Sequence, residues 1–135
     1  MISEEIVVHT GGRPGVFDIT ANVARFTSPH GDGLVSVFVP HATAGVAIIE
    51  TGAGSDDDLL TALDDLLPAD AVRWRHTHGS PGHGRDHVLP AFISPSITIP
   101  VIEGRPALGT WQSIVLVDTN VDNQTRKVRL SFIDG

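Results

Sequence analysis

The sequence has no cysteine and no long apolar run. Without cysteine, disulfide bonds and thiolate metal sites are excluded. The longest apolar stretches, such as 46–49 and 114–117, are far shorter than the roughly 20 residues that a membrane-spanning helix requires. The first residues also lack a basic region followed by a long apolar segment. The sequence therefore predicts no secretory signal, no membrane association and a cytoplasmic location.

Positive charge is scarce, with 9 Lys and Arg residues against 16 Asp and Glu residues and a formal net charge of −7. An acidic chain repels the phosphate backbone, so nucleic-acid binding is disfavoured. The basic run that begins at Arg126 forms either a solvated strand face or a local basic patch. A length of 135 residues, 41% of them hydrophobic and 19% charged, predicts one globular domain over 1–135.

Short alternating runs of apolar residues dominate the chain and indicate β-strands. The predicted strands are 4–10, 34–39, 46–50, 97–102, 113–118 and 126–133. In the last of these, Val128, Leu130 and Phe132 alternate with polar residues, which predicts one buried face and one wet face. Residues 40–45 form a turn between the second and third strands.

Two helices accompany the strands. The clearer one spans about 55–66, with Ser55 as its N-cap and a stripe of leucines at helical spacing. Its aspartates at 56–58 either complement the positive end of the helix or form an oxygen cluster for magnesium. A shorter helix at about 20–26, capped by Thr20, buries Val23 and Phe26. These elements predict a β-rich α+β domain, with a sandwich- or barrel-like body and surface helices.

Histidine enrichment is the most unusual feature of the composition. The chain has seven histidines, and four of them lie between positions 76 and 87. His76 and His87 flank a stretch, 75–86, that has three glycines, one proline and no apolar period, and is therefore expected to be a loop. Neutral imidazole is the commonest protein ligand for zinc and related ions. The spacing matches no standard zinc signature, so a solvated polar loop remains the alternative.

His41 and Glu50 lie at the two ends of the segment between the second and third strands. His41 is followed by small residues that allow close approach of a ligand, or it makes only a local hydrogen bond in a turn. Glu50 is either a general base or a surface carboxylate. If 34–39 and 46–50 form a hairpin, Glu50 lies more than about 10 Å from His41.

The segment 108–112 provides groups for binding an anion or a heterocycle. Gly109 permits close approach of the backbone, Thr110 and Gln112 offer hydrogen bonds, and Trp111 offers a flat stacking face. The alternative is a turn with a tryptophan in the core.

Several of these segments resemble the YjbQ-like, or secondary thiamine-phosphate synthase, family. Residues 41–50, His-Ala-Thr-Ala-Gly-Val-Ala-Ile-Ile-Glu, are similar to the family pattern H-T-T-A-G-V-A-I-N-E. Further similar pieces follow in the same order: Trp74-Arg75-His76, His87, Ser96, Ile99-Pro100-Val101, Gly104, Leu108 to Gln112, and the Arg-rich strand from Arg126. The resemblance extends from about residue 15 to the C-terminus.

The resemblance implies a β-rich α+β domain that assembles as a homotrimer with sites near subunit interfaces. It implies a transferase that joins a pyrimidine diphosphate to a thiazole phosphate and releases diphosphate, as a main or side activity. By the same likeness His41, His76 and His87 converge as catalytic residues and ligands of a divalent metal, zinc or magnesium, with Glu50 as a further catalytic residue. The implied residues for binding a small anionic metabolite are Thr43, Gly109, Thr110, Trp111, Gln112 and Arg126.

The sequence departs from the family pattern at a few positions. Ala42 and Ile49 replace a threonine and an asparagine, and His83 stands where the family usually has asparagine or another polar residue. Pro90 and Ala91 replace a small helical stretch. These changes affect the substrate more than the existence of the site. Two other functions remain open: a metal-dependent hydrolase of a phosphorylated or carbonyl metabolite, and a non-catalytic module that binds an anionic metabolite.

Overall fold

A computed structural model describes residues 1–135, apart from the side chain of residue 71. The chain folds into two β-sheets and a set of short helices. The strands are β1 Ile2–His9, β2 Gly15–Asp18, β3 Gly33–Phe38, β4 Ala44–Ile49, β5 Ser96–Ile102, β6 Arg105–Pro106, β7 Ser113–Asp118 and β8 Thr125–Asp134. The helices are α1 Thr20–Thr27, α2 Ser55–Leu66 and α3 His83–Asp86, with 3₁₀ turns at Ala71–Arg73 and Leu89–Ala91. The predicted α+β, β-rich class is confirmed.

The two sheets pack face to face and enclose the main core. One sheet has the order β1-β8-β3-β5-β6 and the other β2-β7-β4, and every pairing is antiparallel. The inner residues of β8, Val128, Leu130 and Phe132, are fully buried in this core, as the alternation predicts. On the other side of β8, Lys127 and Arg129 are exposed, so the basic run forms a solvated strand face apart from its first member.

Strand β7 is buried on both faces because a third layer covers the smaller sheet. Ile114 and Leu116 face the core between the sheets, whereas Val115 and Val117 face a second core formed with α2 and the turn at Leu89. A continuous apolar run is what a central strand with two covered faces requires. Helix α2 contributes Leu63 to this second core, and its C-cap residue contributes Leu67.

The predicted hairpin between the second and third strands is wrong. Strand β3 pairs with β8 on one side and β5 on the other, so both of its edges are occupied. The chain therefore crosses to the other sheet after Val39, and β4 pairs with β7. Two strands, β2 and β6, were not predicted because they contain only four and two residues.

The predicted helix caps also differ from the structure. Gly54, with φ of 106°, is the N-cap of α2, and Ser55 is the first helical residue with no side-chain cap bond. For α1, Asp18 Oδ1 accepts the backbone N–H of Thr20 at 2.9 Å. The Thr20 hydroxyl instead accepts the N–H of Ile114 and ties the helix to β7. The buried positions Val23 and Phe26 are as predicted.

Candidate functional site

Four histidines lie side by side at one end of the molecule, in and beside the stretch 75–86 that the sequence predicted to be a loop. The stretch 75–86 contains helix α3, and its last turn places His83 and His87 on one face, four residues apart. Their ring centroids are 4.7 Å apart, and His76 lies 4.4 Å from His87 and 5.0 Å from His83. His78 lies beside His76 and His83 with its ring tilted against both, at centroid distances of 4.1 and 4.7 Å.

Helix α3 is held in place by the buried residues between the two histidines. Arg85 donates to Asp86 Oδ1 at 2.9 Å, to the carbonyl of Leu67 at 3.0 Å and to Asp64 at 2.9 Å. Asp86 accepts hydrogen bonds from the Thr119 hydroxyl at 2.6 Å and the Asn120 amide at 3.1 Å. The helix is therefore fixed to the end of α2 and to the segment after β7, and its histidines face the solvent side.

His76 reaches the cluster from the segment after α2. Trp74 donates its indole N–H to the carbonyl of Pro68 at 2.8 Å and packs against the second core. This contact fixes the chain two residues before His76. Trp74 and residues 76–84 line a cleft of about 140 Å³.

The geometry of His76, His83 and His87 fits a metal ion. One ring nitrogen from each lies within 4.8 Å of the others. The Nε2 atoms of His83 and His87 are 3.0 Å apart. Two ligands of a tetrahedral zinc ion, each about 2.0–2.1 Å from it, lie about 3.3–3.4 Å apart, so a small outward movement is sufficient. No carboxylate belongs to this group of the described residues, which favours zinc-like ions over magnesium.

Electrostatics also favours ligand-competent imidazoles. Partial desolvation and the neighbouring rings of His78, His87 and His83 lower the pKa of His76. Desolvation and the rings of His83 and His78 lower the pKa of His87, against an opposing effect of Asp86. Both shifts favour the neutral ring, which is the form that binds a metal.

Asp122 and Ser80 extend the histidine cluster through hydrogen bonds that begin at His83. Asp122 Oδ2 lies 2.8 Å from Nδ1 of His83, and the Ser80 hydroxyl donates to Asp122 Oδ1. The hydrogen bonds from Ser80 and His83 lower the pKa of Asp122 to about 2. Sequence analysis missed the roles of His83 and Asp122. The His83–His87 spacing of four residues was the available signal, but it has meaning only on a helix.

Within one chain, His41 is not part of the group formed by His76, His83 and His87. Its Nε2 accepts the backbone N–H of Lys127 at 2.9 Å. Close by, the buried Arg126 donates to Thr43 Oγ1 at 2.7 Å and to both oxygens of Asp118 at 2.7 and 3.1 Å. The guanidinium of Arg126 is thus engaged by protein groups, and a ligand-binding role for Thr43 or Arg126 stays a prediction.

The remaining predicted residues, Glu50 and 109–112, lie at the end of the smaller sheet that is opposite His41. Register pairs Ala44 with Asp118 at the His41 end and Ile49 with Ser113 at the other end. Glu50 and the turn 109–112 adjoin this second end, about 16 Å away along β4. The turn is closed by Gln112 Oε1, which accepts the N–H of Gly109 at 2.8 Å. Trp111 is 74% exposed, so the alternative of a core tryptophan is wrong.

The state of His41 leads to a prediction about pH. Burial lowers the pKa of His41 below its usual 6.5, and Arg126 and Lys127 lower it further, against Asp118 and Glu5. At His41 the folded chain thus binds fewer protons than the unfolded chain. The free energy of unfolding therefore falls as the pH drops below about 6.5, where the unfolded chain takes up the proton first. We expect His41→Gln to reduce, but not remove, the loss of unfolding free energy between about pH 7 and pH 5. Urea unfolding at several pH values measures this, and an unchanged pH dependence would contradict it.

No helix in the described part of the chain is long and apolar enough to span a membrane.

Comparison with known proteins identifies the family of this chain. Residues 4–135 match the family model described as UPF0047 protein YjbQ-like. A UPF0047 protein of Mycobacterium tuberculosis is 64% identical over 123 residues, which cover 91% of this chain and 92% of that protein. YugU, a UPF0047 protein of Bacillus subtilis, is 32% identical over 111 residues, 79% of this chain and 81% of its own.

Solved structures agree with this assignment. A hypothetical protein from Aeropyrum pernix superposes with a TM-score of 0.89 at 31% identity, with both chains fully covered. A YbjQ-like protein of unknown function from Sulfolobus solfataricus gives a TM-score of 0.90 at 25% identity, covering 99% of this chain and 97% of that one. With fold, family model and relatives in agreement, the chain belongs to the UPF0047 protein YjbQ-like family.

Proposed function

We propose that this chain is an enzyme that acts on a small phosphorylated metabolite at a divalent metal ion held by His76, His83 and His87. The observation that carries the proposal is the convergence of three ring nitrogens within 4.8 Å in an open cleft. A solvated loop would not require the buried Arg85 and Asp86 that fix these histidines.

A divalent ion at this position would act as a Lewis acid toward a phosphate oxygen, or would lower the pKa of a bound water. The residues of the chain contribute position and shape. Three protein ligands leave a fourth direction open toward the cleft, as catalytic zinc sites do. His78, in contact with His76 and His83, lies beside the group and can donate a hydrogen bond to an anionic substrate.

The reaction to test first is the one that the family resemblance implies. In that reaction a pyrimidine diphosphate and a thiazole phosphate are joined, and diphosphate leaves. A homotrimer is part of this proposal, because Glu50 and the turn 109–112 lie at the far end of the smaller sheet from the histidines. A neighbouring subunit would bring His41 or the exposed Trp111 of one chain toward the cleft of another.

A metal-dependent hydrolase is the second candidate. It is favoured by the fact that the histidine cluster is complete within one chain, without the turn that would bind a heterocycle. Metal-bound water and an open cleft are sufficient for such a reaction.

Removal of one direct ligand tests the proposal. We expect the wild-type protein, stripped with a chelator and titrated with Zn²⁺ or Co²⁺, to bind about one ion per chain at the three-histidine site. His87→Ala should weaken binding more than the about 10–100-fold that loss of an outer-shell partner costs, and should abolish turnover. His9→Ala removes an exposed histidine of β1 outside the cluster and serves as the control. Calorimetry and elemental analysis measure binding.

The outcomes separate the candidate functions. Condensation of the pyrimidine and thiazole substrates supports the synthase, whereas release of phosphate from simple phosphomonoesters supports the hydrolase. Metal binding without either activity would leave a metal-dependent binding module. A wild-type protein that binds neither Zn²⁺ nor Co²⁺ would overturn the proposal.

A further inference from the structure

Asp122 lies in the segment between β7 and β8 and contacts the histidine cluster through the ring of His83. Its Oδ2 is 2.8 Å from His83 Nδ1, and these two side chains are only 28% and 13% exposed. The segment is itself fixed, since Asn120 Oδ1 accepts the N–H of Asp122 at 3.1 Å and the Asn123 amide at 3.0 Å. Asp122 therefore approaches His83 from a constrained backbone.

Both oxygens of Asp122 are occupied by donors from Ser80 and His83. Oδ1 accepts the Ser80 hydroxyl, and Oδ2 accepts the Ser80 N–H at 3.4 Å in addition to the imidazole. With both oxygens engaged in this way, the carboxylate is arranged to orient a ligand rather than to act as one.

The backbone leaves room for this arrangement at Gly79. Its φ of 82° lies in the left-handed region, and a Cβ there would come 2.8 Å from His83 Nδ1 and 3.1 Å from Asp122 Oδ2. A side chain at position 79 would thus press on the Asp122–His83 hydrogen bond. The bare glycine lets Ser80, Asp122 and His83 close around one point.

We propose that Asp122 is a positioning residue of the metal centre, which fixes His83 with its proton on Nδ1 and its Nε2 lone pair directed at the ion. This proposal rests on the proposed function, in which His83 is a ligand. A carboxylate behind a ligating histidine sets the tautomer and ring orientation and raises the basicity of the ligand. The direction agrees with the structure, because His83 Nε2 is the atom that faces His87 Nε2 at 3.0 Å.

The test replaces Asp122 by asparagine, which keeps the shape and removes the charge. We expect Zn²⁺ and Co²⁺ affinity of the intact protein to fall about 10–100-fold, as for other outer-shell partners. Asp134→Asn makes the same change in net charge at the opposite end of β8 and should leave affinity unchanged. Asp122→Glu should recover part of the loss, because it restores a charged acceptor.

A second readout separates positioning from a merely structural role. In nitrogen NMR spectra of the metal-free protein, we expect His83 in the Nδ1–H form in the wild type and in a mixture of tautomers in Asp122→Asn. Visible absorption of the saturated Co²⁺ protein should also change in this variant, because the ring orientation changes. If Asp122→Asn does not fold, Ser80→Ala serves instead and should give a smaller shift in the same direction.

The outcomes distinguish this proposal from the one on which it rests. Metal binding by the wild type with unchanged affinity and spectra in Asp122→Asn would overturn the role of Asp122 and leave the metal centre intact. No metal binding by the wild type would overturn both.

Discussion

Replacement of Asp118 by asparagine is expected to lower the free energy of unfolding by about 3–5 kcal/mol, the usual cost of removing one partner of a buried ion pair. Asp118 is completely buried and Arg126 is 2% exposed. Arg126 donates to both Asp118 oxygens, and the same carboxylate also accepts the N–H of Asn120 at 2.9 Å. The variant would leave a buried guanidinium without its counter-charge.

The control is Glu5 of β1, whose surface ion pairs are with two basic residues of β8. Glu5 contacts Arg129 at 3.1 Å and Lys127 at 3.5 Å, and both basic side chains are about half exposed. Glu5→Gln should cost less than about 1 kcal/mol, because water already screens these charges. Urea unfolding measures both variants at neutral pH. Equal losses for the two would show that the buried guanidinium finds other partners.

Replacement of Gly84 by alanine is expected to separate His76 from His83 and His87, the other two proposed metal ligands. Gly84 lies in α3 between His83 and Arg85, and an added Cβ would overlap the carbonyl oxygen of His76 and come 2.7 Å from Trp74 Cβ. Backbone has to move to relieve this overlap, because a carbonyl oxygen cannot rotate away as a long side chain can. We expect a loss of about 1–3 kcal/mol in unfolding free energy, as for overpacked sites, together with loss of Zn²⁺ binding.

Gly109→Ala is the matched control for this variant. An added Cβ there would meet only the flexible side chain of Gln112, at 3.3 Å, and Gly109 lies at the other end of the smaller sheet. Metal affinity should therefore stay at the wild-type value. Calorimetric titration with Zn²⁺ compares the two variants. Wild-type affinity in Gly84→Ala would mean that the contact between α3 and the His76 segment does not define the centre.

The body of the fold was predictable because its signals are local. Alternation in β8 and the leucine stripe of α2 each report a buried face directly, so those elements were predicted within one residue. The pairing of strands is not local. Phe38 ends β3 and the chain passes to the other sheet, because β5 and β8 occupy both edges of β3. A short connection between two strands gave no sign of this competition.

The candidate site was predicted only in part for the same reason. Histidine enrichment pointed to residues 76–87, and His76 and His87 do lie together. The helical turn that adds His83 forms although its sequence is rich in glycine, because tertiary bonds of Arg85 and Asp86 stabilise it. Asp122 comes from a segment 39 residues away from its partner, and no pattern along the chain connects them.

The position of β8 in its sheet affects how the chain can fold during synthesis. Both β1 and β3 pair with β8, which is the last strand in sequence. Until the ribosome releases this segment, β1 has no neighbour and β3 has one open edge, and pairings between such distant segments form slowly. The nascent chain therefore carries unpaired strand edges until β8 is synthesised, and unpaired edges are what favours pairing with other chains and aggregation.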